Sequence, residues 1–291
     1  MVKKYSDLYL DARRALMRQE DAATAGMMAR NLLAHYSGRT QEEILSDRDM
    51  YAGDDICSSM DNAVKRLLEG EPLPYVLEEW EFYGLTLHVD KNVLIPRDDT
   101  VAVASLAINQ GIFLDHDPRI LDLCTGSGCI GLAIASRIKD ARVTLADISK
   151  DALAVAKKNI TAHKLSSRVS CVQADALSPA PAFLGKFDMI VSNPPYVTGP
   201  EMAELPDSVK LYEPHIALFG GRDGLDFYRS IAANYTRALK PGGYLALEFG
   251  EDQGDDVCRI LEEHGYTILE RTRDYNDRER AVLAQFGRKE D

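Results

Sequence analysis

What this chain has little of narrows the field first. Its five cysteines, Cys57, Cys124, Cys129, Cys171 and Cys258, are scattered, odd in number and form no C-x-x-C pair. That argues against a disulfide framework and against a zinc site, and leads us to expect no metal and reduced thiols in a cytoplasmic protein. Positive charge is also short: 34 Lys and Arg stand against 46 Asp and Glu, a net charge of −12, with a sequence pI near 5.0. Gripping a nucleic-acid backbone needs clustered Lys and Arg, so direct nucleic-acid binding is not expected, whereas a basic protein partner suits the charge. No apolar run approaches the ~20 residues that span a bilayer. The opening Met-Val-Lys-Lys-Tyr-Ser-Asp has no apolar signal core, so no membrane role is expected either. Internal repeats and low-complexity segments are absent.

What remains is an ordinary globular composition, 45% hydrophobic and 27% charged over 291 residues, enough for one large or two modest domains. The first 70 residues carry helical periodicity only. Leu8, Ala12, Ala15 and Leu16 make one stripe. Ala25, Met28, Leu32 and Tyr36 make a second that stops at Ser37-Gly38, and Ile56, Met60, Val64, Leu67 and Leu68 make a third. Thr40 and Glu43 have capping-box spacing. Pro72 and Pro74 predict a break, after which Trp80, Phe82, Leu85, Leu87 and Val89 alternate around Gly84 as a β-hairpin. A helix is predicted over residues 101–112, with Asp99 or Thr100 as its cap, and Arg97 beside these acids reads first as a structural ion pair. From Arg119 the pattern alternates strand and helix, and Lys240-Pro241-Gly242-Gly243 reads as the stop of a helix over residues 225–239. Five parallel strands followed by an antiparallel pair give an α/β domain with a mostly parallel seven-stranded sheet covered on both faces.

Chemistry concentrates at strand ends. The apolar run Met189, Ile190, Val191 is halted by Asn193-Pro194-Pro195-Tyr196, because proline cannot donate to a ladder and restricts the residue before it. Asn193 is thereby held at the carboxyl end of a strand, where open α/β sheets bind ligands. Its side-chain oxygen and the Pro194 carbonyl can accept both N–H bonds of an NH2 group while the Tyr196 ring packs on its π face. The plain alternative is an ordinary strand-to-loop turn. Cys124-Thr125-Gly126-Ser127-Gly128, with Gly131, has the glycine spacing of a dinucleotide loop. Asp122 just before it is unwelcome to a pyrophosphate and suits a ligand with an ammonium group, such as the amino-acid end of S-adenosylmethionine. Asp147, 21 residues after Gly126, is placed to accept ribose hydroxyls. Asp175 is placed for an adenine amino group, with Ala176 lining the base pocket. Glu248 in an apolar strand end reads equally as a buried hydrogen-bond partner or a cleft residue. His215 lacks metal-ligand spacing.

These pieces, with Gly70-Glu71-Pro72-Leu73, Trp80-Glu81-Phe82-Tyr83-Gly84, Leu94-Ile95-Pro96-Arg97, the run from Ala217 to Leu225 and Arg273-Asp274-Tyr275, resemble the peptide chain release factor glutamine methyltransferases of the PrmC/HemK type. The resemblance spans roughly residues 55–286. It implies a helical partner-recognition domain over residues 1–72, a β-hairpin linker over 73–97 and a Rossmann-like S-adenosylmethionine-dependent methyltransferase domain over 98–291. It implies S-adenosyl-L-methionine bound by Cys124, Thr125, Gly126, Ser127, Gly128, Asp147, Ala176 and Asn193. It also implies a glutamine of a class I release factor held by Asn193, Pro194, Pro195 and Tyr196, with Asn193, Pro194 and Tyr196 in the catalytic role. Two places depart from the family pattern. Asp98-Asp99-Thr100-Val101 follows Arg97 where Pro-Glu/Asp-Thr-Glu is usual, and Glu78 stands where a glycine is common. Rivals to this reading are an amino-methyltransferase acting on a nucleic-acid base, disfavoured by the acidic charge, and an adenosine-ligand binding protein without transfer activity.

Overall fold

Capping chemistry sets the ends of the amphipathic stripes. The structure, a computed structural model, describes residues 3–287; residues 1–2 and 288–291, at the outer ends of the first and last expected domains, lie outside the described residues. Helix α1 (Tyr5–Leu16) buries Tyr5, Leu8, Ala12 and Leu16. Helix α2 (Ala22–Ser37) begins at Asp21, whose carboxylate accepts from the N–H groups of Ala23 and Thr24, and ends at Gly38 with φ of 64°. The Thr40 and Glu43 side chains form a reciprocal capping box on α3 (Gln41–Ser46). Helix α4 (Asp54–Leu68) buries Cys57, Met60, Ala63 and Leu67, so its inward face lies slightly to one side of the stripe read from sequence. The expected break at Pro72 and Pro74 is instead a short helix, α5 (Leu73–Leu77), with proline in its first turn, where a missing N–H is harmless. Glu78, at the place where the family commonly has glycine, closes α5 in the left-handed region with φ of 58°, a conformation that glycine adopts more readily. These helices and Asp207–Tyr212 form the smaller of two compact units, divided from the larger after Glu78.

The larger unit, Glu79–Pro206 and Glu213 onward, opens on the hairpin of β1 (Glu79–Phe82) and β2 (Leu85–His88). Its two turn residues, Tyr83 and Gly84, both have positive φ, which matches the twist of a two-residue hairpin turn. Then come helix α6 (Val101–Gly111), β3 (Arg119–Leu123), α7 (Cys129–Arg137), β4 (Arg142–Asp147), α8 (Lys150–Ala162), β5 (Val169–Gln173), β6 (Phe187–Ser192), β7 (Leu239–Glu248), β8 (Tyr266–Arg273) and β9 (Glu279–Phe286). Buried Asn159 fastens the hairpin to this unit. Its Oδ1 accepts from His88 N at 2.7 Å, while its Nδ2 donates to the carbonyls of His88 at 3.0 Å and Ser127 at 2.9 Å.

The main sheet runs β5-β4-β3-β6-β7-β9-β8. The first five strands in that order are parallel, and β9 is antiparallel to both β7 and β8. This is the mostly parallel seven-stranded sheet expected from the sequence. One core contains apolar residues of α6, α7, α8 and the hairpin; the other contains those of helices Asp226–Ser230 and Gly254–Glu263. Both faces are therefore covered. Two details differ from expectation. The helix predicted over 225–239 is broken into an α-turn, a π-turn over Ile231–Tyr235 and a 3-10 turn over Thr236–Ala238. Lys240-Pro241-Gly242-Gly243 then lies inside β7 as a bulge, with Phe187 paired to Leu239 and Met189 to Tyr244. A bulge tolerates the missing proline donor. The strand order reverses between β3 and β6, which is the crevice where such sheets bind ligands.

Candidate active site

The loops after β3, β4, β5 and β6 line one cleft of about 1000 Å³, open solvent at its mouth included. After β3 the chain turns tightly: Cys124, Gly126 and Gly128 all have positive φ. Gly128 leads into α7. Gly131 lets that helix approach the sheet, because a Cβ there would meet Leu145 Cδ2 at 2.2 Å. Asp122 corrects one expectation. It is completely buried, beneath the loop, and is not among the residues lining the cleft. Its Oδ2 accepts from Thr125 Oγ1 at 2.6 Å and from Gly131 N at 2.9 Å. Desolvation pushes its pKa up to about 7, against the lowering effect of those two bonds. It holds the loop and does not face a ligand.

Asp147 lies where the spacing placed it. One oxygen accepts from Gly126 N and the other from Ser149 N, each at 2.9 Å, and its side chain borders the cleft. Burial raises its pKa above the usual carboxylate range. Each oxygen retains a lone pair for a ligand hydroxyl. Asp175 also borders the cleft; its two oxygens accept from Leu177 N at 2.9 Å and Ser178 Oγ at 2.7 Å, one bond each as in Asp147. Ala176 lines the cleft, and its carbonyl accepts from Ser230 Oγ at 2.7 Å. Ser127 Oγ is buried behind the cleft wall and has no hydrogen-bond partner among the described residues; the Cys129 thiol lies beside it, placed to accept from its hydroxyl.

At the tip of β6, half-buried Asn193 borders the same cleft, and its Nδ2 donates to Thr100 Oγ1 at 3.2 Å. Thr100 is thus not the side-chain cap expected for α6, and that helix start has none. Of the residues expected at the site, Cys124, Thr125, Gly126, Ser127, Asp147, Ala176, Asn193 and Pro195 meet around the cleft; Gly128, Pro194 and Tyr196 do not line it. The Tyr196 carbonyl accepts from Gln253 Nε2 at 3.1 Å, and burial pushes the Tyr196 hydroxyl pKa upward. Arg97 borders the cleft and pairs with buried Glu213, which also accepts from Ile95 N at 3.1 Å. The expected ion pair exists, but with a partner far along the chain.

Comparison with known proteins fits this geometry. The family model described as Methyltransferase small domain matches residues 99–205, and the PrmC N-terminal domain matches residues 7–77. The release factor glutamine methyltransferase of Clostridium acetobutylicum is 45% identical over 216 residues, 74% of this chain and 75% of that protein. The chain belongs to the release factor glutamine methyltransferase family. A relative within reach of the same comparison, the ribosomal protein uL3 glutamine methyltransferase of Francisella tularensis, is 40% identical over 67% of this chain and 61% of its own length. A solved methyltransferase from Pyrococcus furiosus shares the fold, with a TM-score of 0.50 and 20% identity over 78% of this chain and 98% of that one.

Some residues that sequence reasoning passed over hold the cleft's loop or line its wall. Asn159 was hidden in the apolar stripe of α8, between Ala156 and Ile160. A polar residue on a buried helix face was the available signal. Phe227, Ile148 and Ile216 supply apolar cleft wall, and nothing local in the sequence marks them.

Proposed function

We propose that this chain transfers a methyl group from S-adenosyl-L-methionine to the side-chain amide nitrogen of the glutamine in the GGQ motif of class I peptide chain release factors. The observation that carries this reading is Asn193, held at the edge of the cleft with its Nδ2 turned to Thr100. That orientation leaves Oδ1 as an acceptor for an incoming NH2 group. The cleft also suits the donor: Asp147 offers two acceptor oxygens for ribose hydroxyls, and Ala176 and Phe227 an apolar wall for a base. On this reading Pro194 and Tyr196 complete the amide pocket outside that cleft, and residues 1–72 recognise the partner protein, 73–97 link and 98–291 catalyse.

When bound, the donor supplies a methyl group already activated on a sulfonium. An amide nitrogen is a poor nucleophile, so the protein's contribution is alignment, for which well-placed reactants account for ~7–11 kcal/mol. The Asn193 and Pro194 oxygens favour positive charge growing on the nitrogen. The N-alkylated amide is strongly acidic and loses its proton to solvent, so no strong base is required.

A second reading, transfer to a glutamine of ribosomal protein uL3, is favoured by the likeness to the Francisella protein. Incubation with the donor and either a class I release factor or uL3, followed by mass spectrometry, decides. One methyl group on the GGQ glutamine is expected; modification of uL3 alone, or of DNA or RNA, overturns the proposal.

A further inference from the structure

Glu248 has no role in the chemistry described so far. It is the last residue of β7, one position beyond the Ser192–Leu247 pair that joins β7 to β6, and it is 1% exposed. Its Oε2 has no hydrogen-bond partner among the described residues. A bare carboxylate oxygen in the interior is costly, and an apolar residue would serve the strand better. The side-chain donors facing this carboxylate are Thr100 and Asn193. Arg280 on β9, Asp99 beside Thr100, Tyr196, Tyr228 and Cys129 complete the charged and titratable surroundings. Arg280 is engaged elsewhere, with Asp274 at 3.1 Å and Asp99 at 3.4 Å.

The proton logic runs one way. Thr100 Oγ1 accepts from Asn193 Nδ2, which leaves the hydroxyl proton for Glu248. An ionised carboxylate only accepts. Both groups behind Asn193 therefore attract an NH2 and repel a carbonyl oxygen. The terminal torsion of asparagine is broad and two-fold, so an unconstrained side chain would also present its NH2 to the substrate's NH2, donor against donor.

We propose that Glu248 is a positioning residue which, through Thr100 and directly, selects the orientation of the Asn193 carboxamide that turns Oδ1 toward the substrate amide. The assignment rests on the methyl-transfer reading above. Burial pushes the Glu248 pKa up to about 8. Protonated, it gains an O–H that can donate to a flipped Asn193 oxygen, so the selection strengthens as pH rises through that value.

The test compares wild type, Glu248→Gln and Glu248→Leu. With a release factor as substrate, Glu248→Leu is expected to lose roughly 10- to 100-fold in kcat, the scale of a misplaced reacting group, with KM and donor affinity nearly unchanged. Glu248→Gln, which keeps one acceptor, is expected to recover part of that loss. Wild-type kcat should rise with pH toward 8, and that rise should vanish in Glu248→Gln. Independently of any substrate, selective 15N-asparagine labelling, assigned with Asn193→Asp, reads the Asn193 side-chain NH2. A pair held at distinct shifts and protected from solvent in wild type should move toward free-amide shifts and exchange faster with water in both variants, more so in Glu248→Leu. Wild-type-like kcat in both variants, a loss confined to KM or donor affinity, or an NH2 signal indifferent to residue 248 overturns the proposal. Should wild type fail to methylate the release factor, the substrate assignment falls, and the NMR comparison still decides the role of Glu248. Should Glu248→Leu fail to fold, the isosteric variant carries both readouts.

Discussion

Asp122 on β3 and Glu248 on β7 are both buried at the carboxyl edge of the sheet, and each keeps one oxygen without a hydrogen-bond partner among the described residues. Asp122 grips the hydroxyl of Thr125 in the glycine loop and the N–H of Gly131 in the first turn of the helix that follows it. Glu248 faces two side chains that border the cleft, Thr100 and Asn193. A backbone held in a tight turn has one conformation to keep, whereas a carboxamide at the end of a side chain has two orientations to choose between. The same expensive group thus serves as scaffold at the glycine loop and as an orienting element at the Asn-Pro-Pro-Tyr tip.

The comparison is sharpest where the tip is cut. Asn193→Ala removes the acceptor for the substrate amide, and the side-chain hydrogen bond it loses goes to Thr100, not to the glycine loop. Its kcat should fall by about 10²–10³, the usual cost of one transition-state hydrogen-bond group, with donor affinity changed far less. Steady-state kinetics beside calorimetric binding reads the split, and near-wild-type turnover would remove Asn193 from the chemistry. At the loop the expected damage is of another kind. Asp122→Ala strands the Thr125 hydroxyl and the Gly131 N–H, each a buried group costing ~1–3 kcal/mol when unpartnered. Thermal unfolding should therefore drop by several degrees, at about 2–4 °C per kcal/mol. A variant that kept its melting temperature and lost only kcat would erase the contrast. Asp147→Ala is expected to weaken donor binding roughly 10- to 100-fold, the loss of a charged acceptor. At saturating donor its kcat should stay close to wild type, because uniform binding is what is removed. A kcat loss at saturation would place Asp147 in the transition state.

Much of this was readable before any coordinates. Strands β3 to β6 are short, mostly apolar runs followed closely by Gly, Asp or Pro, and the two prolines after Asn193 fixed where β6 must end. The spacing of Gly126 and Asp147 proved meaningful, since Gly126 N donates directly to Asp147. Asp122 was misjudged although the information was present. Strand residues alternate faces, and Leu121 and Leu123 join one core while Ile120 joins the other. Asp122 shares the face of Ile120, under α7, so its carboxylate points at the helix packed there. The same parity puts Glu248 with Ala246, on the α6 side. The partner of Arg97 was not readable, because Glu213 lies 116 positions away and no local pattern encodes such a meeting. Thr100 looked like a helix cap for a similar reason: its actual neighbours come from β6 and β7.

The smallest effect separates scaffold from orienting element by pH. Both carboxylates have pKa values pushed up by desolvation, to about 7 for Asp122 and about 8 for Glu248, whereas in the unfolded chain they return to ~4. Between those values the folded protein keeps protons that the unfolded chain has released. Linkage then makes folding less favourable as pH rises. This contribution is complete below about pH 4 and is lost as pH climbs through 7 and then 8. Glu248→Gln should flatten the decline and leave the protein more stable than wild type at pH 8, by something on the order of 1 kcal/mol, even as its turnover falls. A residue present only for structure could not lose turnover and gain stability in one isosteric change, whereas one retained for function commonly does. Asp122→Asn should flatten the decline nearer pH 7, since its carbonyl can still accept from Thr125 and Gly131, and should leave kcat alone. Melting curves from pH 5 to 8 for the three proteins test both statements. Parallel curves would mean that neither carboxyl titrates in the window, and a kcat loss in Asp122→Asn equal to that of Glu248→Gln would make the two sites alike after all.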